Sequence, residues 1–357
     1  MLAAMTTKPH RKTAAWLLIL IFTYAALLVA LTILNFVGAD LWWFGAFNLY
    51  LPQAIWALPG IILTLLSLIF SRKWLWLPLL CVAWVAGPLM GFCWPLAAPR
   101  NLQGSLPLRV MTWNIKYGLH DKAAHEALRQ DIQVNNPDVV LFQDAQGVLN
   151  GPLRDLFRSW SVRSNGQYVI ASRLPLGEMK VLRMSFPGAD STCLRTTLQI
   201  GGITVALYDV HFESPRSGLN ALRVVKRKPW YLPKAADALT NNVEARFIQA
   251  QAVREYILQE QGPVIVAGDL NSTDDSRICA TLRNVGLHDA FAEEGKGYGY
   301  TYGHFLLQHR APSFHFSWMR IDHIMMSSQF QTRRCWTGTY KASAHRPVIA
   351  DLALYRN

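Results

Sequence analysis

Three runs without a single charged side chain, residues 14–37, 51–71 and 74–95, occupy most of the first hundred positions. A bilayer core about 30 Å thick is crossed by roughly 20 apolar residues in a helix, and each run reaches that length. The stretch WLLILIFTYAALLVALTILNFV lacks the polar stripe that a core helix of a soluble domain carries. A signal peptide also begins on basic residues, as here with Lys8, Arg11 and Lys12, but its apolar stretch is shorter and two more runs would not follow. Trp42, Trp43, Trp74, Trp76 and Trp94 cluster at the proposed ends, as an interfacial aromatic belt does. The expected membrane domain is therefore residues 1–96, with three transmembrane helices.

Charge separates this region from the rest. Only 16% of the chain is charged, against about 25% in ordinary soluble domains. The first hundred residues hold Lys8, Arg11, Lys12, Arg72, Lys73 and Arg100 against one acid, Asp40. Basic residues flank the start and the second inter-helix loop, whereas the first loop carries only Asp40. The positive-inside rule then predicts a cytoplasmic N-terminus and an extracytoplasmic C-terminal part, in a multi-pass integral membrane protein. Arg100 alone opposes that orientation.

After a Pro- and Gly-bearing linker, residues 97–108, the texture becomes that of an α/β domain over residues 109–357. LRVMTWN, PDVVLFQD, GQYVIASR, PVIVAGDLN, IDHIMMS and HRPVIADLAL read as short strands. Residues 194–200 and 203–211 read as a hairpin about Gly201-Gly202. Residues 121–135, with Asp121 as cap, and 242–260 read as helices. Asn114, Asp144, His211, Asp269, Asn271, Asp322 and His345 all fall at or near ends of apolar strands, where burial is costly unless a polar group is used. Strand ends in such folds converge on one rim.

The ordered segments MTWNIKYG, PDVVLFQDA, YVIASRLP, DVHFES, VIVAGDLNST, RIDHIMMS and SAHRPVIADL resemble the endonuclease/exonuclease/phosphatase superfamily over essentially the whole soluble part. That resemblance implies a four-layered α/β sandwich with two β-sheets, and hydrolysis of phosphate esters with a divalent cation, Mg2+ or Mn2+. It implies Asn114 and Asp144 as metal residues, with Asp144 where the family has Glu. It implies His211 as a phosphate stabiliser, Asp269 as the group that activates water, and Asn271 as its holder. Asp322 would pair with His345, whose protonated ring would hold the scissile phosphate. Arg246 and Gln249 resemble a structural R-x-x-Q pattern. The Asp that relatives carry before the last His is here Ala344.

The chemistry is coherent on general grounds. A phosphodiester repels nucleophiles, so a site must neutralise its charge and orient water. Mg2+ prefers a carboxylate or two plus water and phosphate oxygens. Residues 215–234 add Arg216, Arg223, Lys226, Arg227, Lys228 and Lys234 with no acid, and the pair Trp230-Tyr231. Arg227, Lys228, Trp230 and Tyr231 are the expected substrate-binding residues, suited to anionic lipid head groups or to a nucleic-acid backbone with stacked bases. The preferred reading is a lipid phosphodiesterase with membrane lipids as partners and no obligate protein partner. A nuclease acting on DNA or RNA is the alternative. A non-catalytic binding module is a third, resting on Ala344. Cys193, Cys279 and Cys335 lack zinc spacing, and their disulfide state stays open.

Overall fold

The computed structural model describes residues 8–95, 104–116, 122–150, 153–306 and 314–355. Asp121, the expected helix cap, and the linker up to residue 103 lie outside the described residues. Two helical stretches, Ala15–Leu41 and Gln53–Phe70, are long and apolar enough to cross a membrane. The third run is shorter than its composition promises. Its α-helix covers Trp76–Trp84 and passes into a π-helical turn, Val85–Leu89, containing Pro88. At 1.5 Å per residue that is about 21 Å, less than a bilayer core. Leu17, Ile21, Tyr24 and Leu28 of the first helix pack with Leu63, Cys81, Val85 and Leu89. The opposite faces are bare, with Trp16 67%, Ile69 72% and Phe36 92% exposed.

The remainder folds around two six-stranded mixed sheets. The first has the spatial order Phe330–Thr337, Val348–Leu354, Leu106–Asn114, Val139–Gln143, Tyr168–Ser172, Ser161–Asn165. The second has the order Lys180–Arg183, Thr192–Ile200, Ile203–His211, Val264–Asp269, Asp322–Met326, His288–Asp289. Leu108, Val110, Leu141, Leu207, Ile265 and Ile324 fill the space between them. Met111, Trp113 and Val140 face outward onto Leu128 and Ile132 of the helix Lys122–Asn135. Tyr208, Val210 and Val266 face Leu239, Val243 and Val253 of the helix Leu232–Ile257. The layers run helix, sheet, sheet, helix. The Leu232–Ile257 helix starts ten residues earlier than the apolar pattern indicates, because its first turns carry Lys234, Asp237 and Thr240 toward solvent.

The period-two alternation of a strand sets the site. Even positions of Leu106–Asn114 point between the sheets, so Leu108 and Val110 are followed on that face by Thr112 and Asn114. Odd positions of Ile203–His211 do likewise, giving Leu207, Asp209 and His211. Ile265 and Ala267 lead to Asp269. Asp322 heads the face shared with Ile324 and Met326. Between the apolar layer and the strand ends lies a buried polar rung. Gln143 Nε2 donates to Thr112 Oγ1 at 3.1 Å and to Asp209 Oδ1 at 2.6 Å. Burial drives the Asp209 carboxyl well above its usual range.

At the far side, Arg195 ties the Thr192–Ile200 strand to Glu260 just past the long helix. Its Nε and Nη2 donate to both carboxylate oxygens at 3.0 and 2.9 Å, and the Tyr208 hydroxyl donates to Oε1 at 2.5 Å. Burial raises the affinity of Glu260 for a proton, but the Arg195 and Tyr208 hydrogen bonds outweigh it and hold its pKa below the usual 4.5. A lowered acid stabilises the fold above its unfolded pKa and loses that contribution as pH falls through the folded value. Glu260→Gln is therefore expected to lower the unfolding temperature at neutral pH, by about 1–3 kcal/mol of stability. The gap from the parent protein should close below pH 4.5. Scanning fluorimetry from pH 3 to 8 reads this directly, and a gap that widens in acid would refute it.

The helical region is seated on the sheet unit at two places. The short helix Trp43–Leu49 packs Trp43, Ala46 and Phe47 into the core that contains Leu239 and Val243. Asp40 accepts from the Arg277 amide at the start of the helix Arg277–Arg283. Farther along, Cys93 and Gly297 exchange backbone hydrogen bonds, and Tyr298 and Tyr300 donate to the carbonyls of Ala86 and Met90.

Candidate active site

All seven sequence-selected polar residues meet at one end of the two sheets. His211, Asp269 and Asp322 stand abreast on three adjacent strands, since Asp269 is in register with both others. Asn114 approaches from the facing sheet and donates from Nδ2 to Asp269 Oδ2 at 2.9 Å. The Asn271 amide donates to Asp269 Oδ1 at 2.8 Å, and the Asn271 side chain donates to the Phe212 carbonyl at 2.9 Å. Asp322 accepts from His345 Nδ1 at 2.9 Å. His345 Nε2 lies 3.8 Å from Asp269 Oδ2, and His211 Nε2 lies 3.6 Å from the same oxygen. Asp144 Oδ1 is 3.6 Å from His211 Nδ1.

The backbone is strained where these groups turn into the pocket. Lys116, Asp144 and Asn271 have φ of 44, 51 and 47°, in the left-handed region that Asn and Asp tolerate and Lys rarely adopts. Gly268 has φ 148°, and a Cβ there would stand 1.9 Å from the Val210 carbonyl oxygen. Only glycine lets the Asp269 strand lie that close to its neighbour, which is the physical content of the G in GDLN.

Burial dominates the electrostatics. It raises Asp269, helped by the nearby Asp322 charge and opposed by His345 and His211. It pushes Asp322 up to about 7 and His345 down to about 3. Desolvation outweighs the neighbouring Asp269 and Asp144 charges at His345 and disfavours its protonated form while the pocket holds no phosphate. The ring is also braced from behind. Trp113 Nε1 donates to the His345 carbonyl at 2.9 Å, and the His345 amide donates to Ser343 Oγ at 3.1 Å. Ser343 in turn donates to the Asn114 carbonyl at 2.8 Å. Position 344 therefore lies between two anchored residues and offers only the Ala344 methyl.

Several participants carry no signal in the sequence. Gln167 Oε1 lies 2.6 Å from His211 Nδ1, which makes Nδ1 the protonated nitrogen. Lys116 sits over the Tyr302 ring at 4.2 Å and donates to its hydroxyl, and that ring is 4.6 Å from His345. Tyr50 donates to the Asn271 carbonyl at 2.8 Å. Asn114 and His345 sit on recognisable motifs; Gln167, Tyr302 and Tyr50 are distant in sequence and belong to no local pattern. Arg246 donates to Glu213 O and Asn242 Oδ1, and Gln249 accepts from the Glu213 amide, so both hold the chain beyond His211.

Together these residues border an open pocket of about 740 Å³. Arg216, Arg223 and Lys226 line it, whereas Arg227, Lys228, Trp230 and Tyr231 do not. The helix Arg216–Val225 ends before the latter four, and Trp230 is left 76% exposed. Arg227, Lys228 and Trp230 stand on the outer surface next to the pocket-lining helix, and Tyr231 is half-buried there.

The model of the Endonuclease/Exonuclease/phosphatase family matches residues 111–345, more than half of the sequence and the span that holds all seven groups. The chain belongs to this family. As an endonuclease/exonuclease/phosphatase family domain it joins hydrolases of phosphodiester bonds. Its fold is similar to a family protein from Bacteroides thetaiotaomicron (TM-score 0.54, 14% identity, 71% of this chain and 99% of that one). It is also similar to D. rerio TDP2 complexed with single strand DNA product (0.51, 18%, 69% and 98%) and to truncated Caenorhabditis elegans TDP2 (0.50, 20%, 71% and 100%). No curated protein matches the chain.

Family enzymes generally use divalent metals, and the donors here fit one. The pocket offers the Asp144 carboxylate and the Asn114 amide oxygen, with no thiol among the described residues that line it. Hard oxygen donors of this kind suit Mg2+ or Mn2+. Asp269, Asp322 and His345 are also close enough to share an ion. Asp269 already accepts from Asn114 and Asn271, and Asp322 from His345 Nδ1, so the Asp144 carboxylate is the freer anchor.

Proposed function

We propose that this chain is a membrane-anchored, divalent-metal-dependent phosphodiesterase whose substrate is a phosphate ester carried by a lipid. The observation that carries the hydrolytic reading is the hydrogen-bonded set Asn114–Asp269–Asn271 beside the Asp322–His345 pair. Asn114 and Asn271 hold Asp269 with its Oδ2 turned to His345 and His211. A carboxylate made more basic by burial is suited to take a proton from attacking water. His211, with Nδ1–H committed to Gln167, turns Nε2 to the pocket. His345 enters neutral, and the negative charge of a bound phosphate beside its Nε2 favours protonation there. Lys116 adds a fixed positive charge at the same mouth. Asp144 and Asn114 would hold Mg2+ or Mn2+, which supplies charge neutralisation when bound.

The membrane reading is supported by bare apolar helices. A core helix is mostly covered, yet only 28% and 17% of the two candidate spans is buried. The Gly38–Pro52 loop and the segment around Cys93 both touch the sheet unit, while Arg72 and Lys73 lie at the other turn of the helices. That arrangement favours three passes with the catalytic unit opposite the N-terminus, the last pass being short. Nucleic acid is the second reading, favoured by the DNA-bound TDP2 neighbour. Full-length protein in nanodiscs should release phosphate-ester products from phospholipid only with Mg2+ or Mn2+ present. Faster cleavage of single-stranded DNA or RNA than of any phospholipid would reject the lipid assignment.

A further inference from the structure

The active-site pocket has a wall that the catalytic unit does not supply. Phe47, Leu51 and Pro52, from the loop between the two candidate spans, line it together with the catalytic residues. This loop is pinned in place. Tyr50 donates to the Asn271 carbonyl, its own carbonyl accepts from Trp318 Nε1 at 3.1 Å, and its ring lies over Arg246. Gln53, which begins the second span, follows Pro52 directly. The pocket wall therefore continues without a break into a membrane-candidate helix.

A second part of the wall is the helix Arg216–Val225. Arg216, Leu219, Asn220 and Arg223 recur at the i, i+3, i+4, i+7 spacing of one helical face, and Leu222 and Lys226 extend it. That face carries three cations beside two leucines. Among the described residues, none of Arg216, Arg223 and Lys226 has a carboxylate within salt-bridge distance. The carboxylates lining the pocket, Asp144 and Asp269, lie at its base.

We infer that this pocket selects an anionic glycerophospholipid entering from the bilayer side, its glycerol and first acyl carbons against Phe47, Leu51 and Leu222 and its head group against Arg216, Arg223 and Lys226. The inference rests on the lipid phosphodiesterase reading and specifies its substrate. Three uncompensated cations repel a choline or ethanolamine head and attract an anionic one. A loop that joins membrane spans supplies the apolar wall only to a substrate already lying in the membrane.

Binding tests this without turnover. Full-length protein in detergent is titrated calorimetrically with dihexanoylphosphatidylglycerol, dihexanoylphosphatidylcholine and a DNA trinucleotide. The glycerol lipid should bind at least about tenfold more tightly than the choline lipid. Arg223→Gln with Lys226→Gln should erase that preference, and Leu51→Gln with Leu222→Gln should weaken both lipids by about tenfold. Equal affinity for the two lipids, no lipid binding, or tighter binding of the trinucleotide would overturn the inference. The first comparison uses the parent protein alone, so it decides the matter even where a variant fails to fold. Lipid binding without metal-dependent cleavage would instead sink the hydrolase reading alone.

Discussion

Asp269→Asn should reduce hydrolysis of a soluble phosphodiester such as bis(p-nitrophenyl) phosphate by at least about 10³-fold in a protein that still folds. General-base contributions run at about 10²–10⁴. The change is isosteric and removes a buried charge that faces Asp322, but the Asn114 and Asn271 donors occupy both carboxylate oxygens, so the new amide turns its NH2 to one of them and costs about 1–3 kcal/mol of stability. His345→Ala should fall to a similar level, and the double variant no further, because residues acting on one water and one phosphate are not additive. Steady-state rates with a thermal-unfolding control check both statements. A variant that retains a tenth of the parent rate would remove Asp269 from the role given to it.

What is legible in the sequence follows from two kinds of pattern. Strand alternation and the ordered motifs bring Asn114, His211, Asp269 and Asp322 into view, since each ends or begins an apolar strand whose inward face leads to it. Contacts that join remote segments are not legible. Gln167 reaches His211 across 44 positions and Tyr50 reaches Asn271 across 221, and neither carries a local signal. Composition also misjudges two features. It gives the run 74–95 the length of a crossing without registering that Pro88 and the π-turn end the helix early. It draws attention to Arg227, Lys228, Trp230 and Tyr231 as a basic-aromatic cluster, while the side chains that reach the pocket come from the preceding helix through its 3.6-residue period. His345 marks a third limit: a neighbouring Asp favours a cationic ring, but the depth of burial, which only the fold reveals, pulls the other way.

Chelation of divalent ions should abolish turnover and re-addition of Mg2+ or Mn2+ should restore it, and Asp144→Asn should raise the metal concentration for half-maximal rate by at least about 10–100-fold. Losing even an outer-shell partner of a metal costs about that factor, so a direct ligand costs no less. Asn is the informative replacement because it accepts the φ of 51° at this position as readily as Asp does. A loss then reports the missing charge and not a rebuilt turn. The Asp144 side chain is only 15% exposed, with His211 Nδ1 3.6 Å away, and among the described residues no Lys or Arg lies within salt-bridge distance of it. If Asp144 is the anchor, saturating metal should recover most of the rate in Asp144→Asn but none of it in Asp269→Asn, because the second variant lacks the proton acceptor however much ion is bound. Identical metal titrations for parent and Asp144→Asn would move the ion toward Asp269, Asp322 and His345, the other group in the pocket close enough to share one.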